Sequence, residues 1–251
     1  MKSIWWDNLT KQMKEKIDSL TPIEAVEYAQ TKCLFDHRRP YNQEVIDFKV
    51  KRLINEFGEL PKVYDSEYSL FTKDGYSNAF LWHLNFYLRI TKAITPKSIL
   101  EIGGGYGGLA RIFKVLHPEI DYTIIDLPES LYFSKNFLEL NKINDINYLN
   151  AGEVPVKKDF DLVINTGSFE EMPRDTVKNY IDMIQNNLNV KYLYSCNYGV
   201  VKGRTREATF WGNLPVDKNW EEIYRNENNP VIQIDVARKR IFWEILLKRK
   251  I

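Results

Sequence analysis

The residues that promise chemistry lie in the middle of the chain, in the run Glu101-Ile102-Gly103-Gly104-Gly105-Tyr106-Gly107-Gly108. Five glycines follow an apolar, strand-like segment and open a helix-like one. Backbone must come close to a ligand at such a place, and side chains obstruct it. Two classes of cofactor want this loop. Gly103, Gly105 and Gly108 satisfy the G-x-G-x-x-G spacing of a dinucleotide turn. Glu101 argues against that class, because a carboxylate at the strand end repels a pyrophosphate. It suits the ammonium of a methionine moiety, held directly or through water. Asp126 ends a second apolar run, Tyr122 to Ile125. In either reading an acid at roughly 20 residues beyond the glycines takes hydrogen bonds from ribose hydroxyls. Its plainer role is to cap the helix that opens at Pro128 and Glu129.

A second group of candidates concerns proton transfer. Glu170 and Glu171 directly follow a fourth apolar run, where loops at strand carboxyl ends bound a cleft. Neighbours at a helix start do not both face one substrate, so one of them serves the helix N-terminus. His83 is the third candidate, since an imidazole titrates near neutral pH. It lies in Phe80-Leu81-Trp82-His83-Leu84-Asn85-Phe86, where a lone histidine is more often a satisfied core residue. Arg38 and Arg39 in Asp36 to Pro40 suit a phosphate or sugar nucleotide, or a solvated helix connection. Tyr198 to Asn213, with Lys202, Arg204, Arg206, Phe210 and Trp211, has the length and position of a lid or acceptor-binding segment. No cluster of His, Cys or carboxylates has metal-ligand spacing, so metal independence is expected.

These residues need a scaffold, and the pattern changes character near residue 95. Before it, apolar residues recur at helical steps over Ile4 to Leu20, Thr21 to Lys32, Gln43 to Phe57 and Ser77 to Ala93. Thr21 and Glu24 read as a capping box with Pro22 at the first helical position, and Gly58 as a helix stop. After Pro96, strands are expected at Ser98 to Ile102, Tyr122 to Ile125, Ile146 to Leu149, Asp161 to Ile164 and Lys191 to Cys196. Helices are expected between them at Leu109 to Leu116, Ser130 to Asn141 and Asp175 to Leu188. Ala151 to Asp159 is too short and polar for the helix that the alternation asks for there. Val231 to Val236 and Ile241 to Leu247 read as a closing antiparallel pair. The expected fold is α/β: a Rossmann-like seven-stranded sheet (residues 95–251) with an N-terminal helical cap (residues 1–94).

The run Ser98 to Gly108, then His117-Pro118-Glu119 and Ile125-Asp126-Leu127-Pro128, resembles the cofactor core of small-molecule O-methyltransferases. With Ile164-Asn165-Thr166-Gly167-Ser168-Phe169-Glu170-Glu171-Met172 added, the closer resemblance is to bacterial sugar O-methyltransferases that use S-adenosyl-L-methionine. It covers roughly Ser98 to Cys196. The resemblance implies that Glu101, Gly103, Gly105 and Gly107 line the methionine end and Asp126 the ribose. It implies that Leu127 packs on the adenine, that Gly152 and Glu153 lie beside its amino edge, and that Asn165 sits under the transferable methyl. Leu127 is otherwise plain core, and Glu153 otherwise a solvated loop charge. The implied activity is methyl transfer to a hydroxyl of a sugar, either a glycan or an activated sugar. The competing readings are an NAD(P)-dependent oxidoreductase and a partner subunit that binds adenosylmethionine without turnover.

Composition narrows the partners. The 251 residues carry a net charge of +1 and no basic stripe, which speaks against a nucleic-acid partner. The fourth-strand stretch also lacks the Asn/Asp-Pro-Pro-aromatic pattern of base methylators. A hydrophobic content of 44% supports a sizeable core. No run is long and apolar enough for a signal peptide or a membrane span. Cys33 and Cys196, the only cysteines, are far apart and fit a reduced, cytoplasmic setting. Oligomeric state, acceptor sugar and methylated position are not legible.

Overall fold

The computed structural model describes residues 11, 13–14, 16–17, 19–31, 43–68, 75–199, 214–226 and 241–250. Three helices come first: α1 (Pro22–Thr31), α2 (Gln43–Phe57) and α3 (Asn78–Ala93). Then β1 (Ser98–Ile102), α4 (Gly108–Leu116), β2 (Asp121–Asp126), α5 (Pro128–Leu140), β3 (Ile146–Asn150) and β4 (Asp159–Thr166) alternate. A 3₁₀ turn (Phe169–Glu171), α6 (Arg174–Asp182) and a π turn (Met183–Asn187) lead to β5 (Asn189–Gly199), β6 (Trp220–Asn226) and β7 (Ile241–Arg249).

Local chemistry explains the boundaries. Thr21 and Glu24 form the expected capping box: the Glu24 carboxylate accepts from the Thr21 N–H at 2.8 Å and the hydroxyl at 2.7 Å. The Ser77 hydroxyl caps α3 by accepting from the Phe80 N–H at 3.1 Å. Gly58 stops α2 at φ 82°, and Pro128 starts α5 at a position that needs no N–H. The run expected as one helix up to Leu188 leaves α-geometry at Met183, where the π turn keeps Met183 and Ile184 buried. As expected, no helix links β3 to β4.

The strands form one seven-stranded sheet in the order β3-β2-β1-β4-β5-β7-β6. β1 to β5 are parallel, and β7 runs antiparallel between β5 and β6. The last strand has a partner that the sequence did not mark. Residues 231–236 lie outside the described residues, and the strand pairing with β7 on its far side is Trp220–Asn226. Its sequence hides it, because Glu221, Glu222 and Arg225 break the apolar alternation. Charges of this kind are what an edge strand carries to deter further pairing.

One face of the sheet packs on α3, α4 and α5, in a core that joins Leu81, Leu84 and Ile90 to Ile99, Ile112, Tyr122 and Leu162. The other face packs on α6 and the turn after it, through Val163, Phe169, Ile181 and Leu193. Residues of α2 and α3 thus share one core with the sheet. Arg89 of α3 pins it electrostatically: it pairs with Glu56 of α2 at 2.9 Å and with Glu244 of β7 at 3.4 Å. Glu244 is 0% exposed and also accepts from the Tyr194 hydroxyl at 2.8 Å and the Tyr224 hydroxyl at 3.0 Å. A separate patch docks Met13, Ile17, Ala25 and Ala29 on Phe133 of α5.

Candidate active site

The chain leaves β1, builds β2 and β3 on one side, and returns to β4 on the other. The crevice at the carboxyl end of β1 is therefore the topological switch point where α/β sheets bind ligands. The glycine loop fills it. Gly103, Gly105 and Gly107 adopt φ of 80°, 58° and 88°, a region that side chains disfavour. The Gly103 N–H donates to the Ile125 carbonyl at 2.8 Å, and the Gly107 N–H to Gly104 at 3.0 Å. The first bond ties the loop to the end of β2, and the second closes a turn within the loop.

Two carboxylates flank it. Glu101 is 2% exposed and lies beneath Gly104, where a Cβ would come within 3.2 Å of Oε2. The Tyr122 hydroxyl donates to Oε2 at 2.9 Å. Burial still dominates and, with the charge of Asp126, pushes Glu101 up from 4.5 to about 7. Asp126 accepts from the Gly105 N–H at 2.8 Å and the Leu127 N–H at 2.7 Å. Burial raises it from 3.8 to about 6 against those bonds and one from Ser130. Asp126 therefore holds the loop and also meets the start of α5, although Leu127 occupies the cap position itself. Two carboxylates whose charge is disfavoured by burial make a poor cradle for a pyrophosphate and a good one for a cation beside hydroxyl donors.

Asn165 is 0% exposed and works as a clamp. Its Nδ2 donates to the Ile102 carbonyl at 2.8 Å and to Ser168 Oγ at 2.5 Å. Its Oδ1 accepts from the Phe169 N–H at 3.3 Å and from Asn197 Nδ2 at 2.9 Å. With both amide atoms engaged, Asn165 braces the start of the glycine loop through Ser168 and the Ile102 carbonyl. Ser168 Oγ stands 2.1 Å from where a Cβ on Gly103 would be, so the first glycine of the motif is fixed by contact as well as by φ. Glu153 likewise turns inward: its carboxylate accepts from the Asn150 N–H at 2.9 Å and Nδ2 at 3.0 Å, closing the turn after β3. Those bonds hold its carboxyl below the usual range. Gly152 takes φ 95° at the apex of that turn, with nothing within 4 Å of a built Cβ. Its backbone meets the hydroxyl of Tyr180 from α6. Leu127 is half-buried at the neck of α5.

At the rim, the three candidate proton acceptors occupy different sides. Glu171 is exposed, and its charge raises Asp126, which puts it on the Asp126 side of the loop. Glu170 is half-buried, and its charge raises the buried Cys196 thiol of β5. His83 is not a remote core residue. Its Nδ1 stands 3.3 Å from the Tyr106 hydroxyl, over Gly108 of the loop. The arginine loop 36–40, Cys33 and residues 200–213 lie outside the described residues. Among the described residues no group of three or more His, Cys, Asp or Glu side chains is placed to hold a metal, and no helix is long and apolar enough to cross a membrane.

No family model and no curated protein matches the chain. Solved structures do. The methyltransferase domain of a bacterial Hen1 superposes with a TM-score of 0.55 at 10% identity, covering 70% of this chain and 100% of that one. The fold is that of a methyltransferase domain. The O-MT region of StiE aligns with a TM-score of 0.51 at 10% identity over 66% of this chain and 73% of its own. The protein that converts a disulfide bond into a thioacetal group during echinomycin biosynthesis aligns with a TM-score of 0.50 at 12% identity, over 68% and 82%.

Within this methyltransferase fold several working residues escape a linear reading. Tyr122 supports Glu101 from the neighbouring strand, and its only signal is that both side chains fall on one face of the sheet. Ser168, three residues on, and Asn197, at the end of the neighbouring strand β5, complete the clamp on Asn165. Tyr106 looks like a spacer among glycines, and Tyr180 like one more apolar position of α6.

Proposed function

We propose that the chain is an S-adenosyl-L-methionine-dependent O-methyltransferase acting on a hydroxyl of a sugar, either in a glycan or in an activated sugar. One observation carries the reading: Glu101 and Asp126, both raised by burial, flank a glycine loop at the switch point of a methyltransferase fold. When bound, the cofactor supplies a methyl group on a positively charged sulfur. Glu101 then gains an ammonium partner above it, which favours its charged form. Asp126 keeps the Gly105 and Leu127 N–H groups on one side and offers its remaining lone pairs to ribose hydroxyls. Ser168 and Asn165 fix the methionine end of the loop, and the turn at Gly152 borders the adenine side.

A sugar hydroxyl is a weak acid, so its proton must leave as the new bond forms. Glu170, Glu171 and His83 are the candidates to take it. The sugar assignment is supported by the likeness of the stretch from Ile164 to Met172 to sugar O-methyltransferases. The test is transfer of labelled methyl from adenosylmethionine to a panel of methyl hexosides and nucleotide hexoses, read by mass spectrometry. A methylated sugar supports the reading. Methylation confined to nucleic acid or protein included in the same panel refutes the sugar assignment while keeping the cofactor.

A further inference from the structure

Glu101 is a buried acid in company that does not neutralise it. It is 2% exposed, and it pairs across the sheet with Ile124 of β2 and Ile164 of β4, both apolar. The Tyr122 hydroxyl donates to Oε2 at 2.9 Å, and Gly104 closes over the same oxygen, 3.2 Å from where its Cβ would be. The charge that reaches the carboxyl is negative: Asp126 of β2 opposes its ionisation, and Glu101 in turn opposes that of the Tyr106 phenol in the loop. Arg111 of α4 acts on that phenol, but its guanidinium donates elsewhere, to Asn141 Oδ1 at 2.7 Å and the Tyr64 carbonyl at 2.8 Å. From α3, His83 reaches the same phenol at 3.3 Å. Around Asp126 stand Ser130 of α5, Tyr180 of α6 and Glu171 after β4. Among the described residues, no cation is one of the groups that act on Glu101 or Asp126. A buried acid beside a second acid, with a single phenol donor, keeps its proton until a cation arrives.

We propose that the ligand-free site holds a proton on Glu101 and exchanges it for the ammonium of the methionine moiety, so that adenosyl ligands carrying the amino acid bind with release of a proton that ligands lacking it do not displace. This rests on the adenosylmethionine reading above. The O–H bond of the Glu101 carboxyl breaks, the proton passes to solvent, and the carboxylate left behind faces a ligand ammonium that was already charged.

The pH window follows from the free protein. Burial raises Glu101 to about 7 against the Tyr122 bond. A ligand that favours its charged form binds more weakly as pH falls through about 7, and the proton count released on binding rises over the same range. Asp126 titrates at about 6, and ribose hydroxyls likewise favour its carboxylate. It adds a release at lower pH that every adenosyl ligand shares. Above about 7, a ligand without an ammonium leaves the Glu101 charge buried and unpaired. Discrimination in favour of the amino-acid moiety therefore widens as pH rises.

The test counts protons. The full chain is titrated calorimetrically with adenosylhomocysteine and with 5′-methylthioadenosine, which keeps the adenosine and the thioether but has no amino acid, in buffers of different ionisation enthalpy. Adenosylhomocysteine should release about one proton more than methylthioadenosine at pH 6 and about a quarter of a proton more at pH 7.5. The ratio of the two affinities should shift about tenfold toward adenosylhomocysteine between those pH values. Glu101→Gln should release about one proton fewer than wild type with adenosylhomocysteine at pH 6 and should flatten the affinity ratio. Tyr122→Phe, which keeps the acid and removes its donor, should move the excess release to higher pH, and it stands in should Glu101→Gln prove unfolded. Equal proton release for the two ligands at pH 6, or an excess that persists in Glu101→Gln, overturns the proposal while leaving the cofactor reading intact. Absence of adenosylhomocysteine binding to the wild type at either pH overturns both.

Discussion

Glu101→Gln separates the energetic cost of the site from its use. Folding moves Glu101 from 4.5 to about 7, chiefly by burial. A carboxyl raised in the folded state binds a proton that the unfolded chain has already released, so it favours folding at low pH. That contribution is complete below about 4.5 and is lost as pH rises through about 7. The displacement corresponds to about 3 kcal/mol between pH 5 and pH 8. Asp126 adds a loss of the same sign as pH rises through about 6. Glutamine at position 101 still accepts from Tyr122 but has no charge to bury, and its N–H₂ group carries a desolvation cost of about 1–2 kcal/mol. The ligand-free variant should therefore match or exceed wild-type stability at pH 8 and lose that advantage by pH 5. In thermal unfolding the difference between the two pH values should change by roughly 6–12 °C. The same variant should bind adenosylhomocysteine at least tenfold more weakly, the usual scale for a lost charge-assisted bond. Parallel stability curves for wild type and variant from pH 5 to pH 8 would refute the argument that Glu101 is held against its charge.

Three further outcomes follow from named contacts. Asp126→Ala should weaken cofactor binding by about 1–3 kcal/mol in calorimetry, with the fold retained by circular dichroism. Gly103→Ala should cost about 2–5 kcal/mol in denaturant unfolding, from the strained φ and the overlap with Ser168; pairing it with Ser168→Gly should recover only the overlap. Arg89→Met should cost about 3–5 kcal/mol, because it takes the Arg89 cation away from the 0% exposed Glu244, and Glu244→Gln in the same chain should restore much of it.

The parts of the fold that sequence made legible are those where local signals agree. The capping box at Thr21, the stop at Gly58 and the alternation from Ser98 onward each combine periodicity with a specific terminus chemistry. β1, β2, β4 and β5 were visible because strands buried on both faces are largely apolar, and the edge strand β3 because Ile146, Tyr148 and Leu149 keep it partly so. β6 was not visible, since an edge strand is free to be charged and its sequence then reads as loop. The site divides in the same way. Glu101, the glycines and Asp126 announced themselves because backbone approach demands a residue type at fixed spacing. The side chains of Asn165 and Glu153 bond to neighbouring backbone, which no spacing reveals. His83 read as a core aromatic-helix residue because its meeting with Tyr106 depends on how α3 crosses the loop. Gly108 was counted as part of a phosphate-type fingerprint, whereas the contact that requires it comes from that histidine and that phenol.

The central claim is that the loop between Glu101 and Asp126 holds adenosylmethionine and no dinucleotide. Isothermal titration of the full chain with adenosylhomocysteine, adenosylmethionine, NAD and NADP at pH 7.5 tests it most directly. Binding of the first two with dissociation constants in the micromolar range, about −8 kcal/mol, and no heat from NAD or NADP is the expected result. Clear binding of NAD or NADP with no response to either adenosyl compound would contradict it.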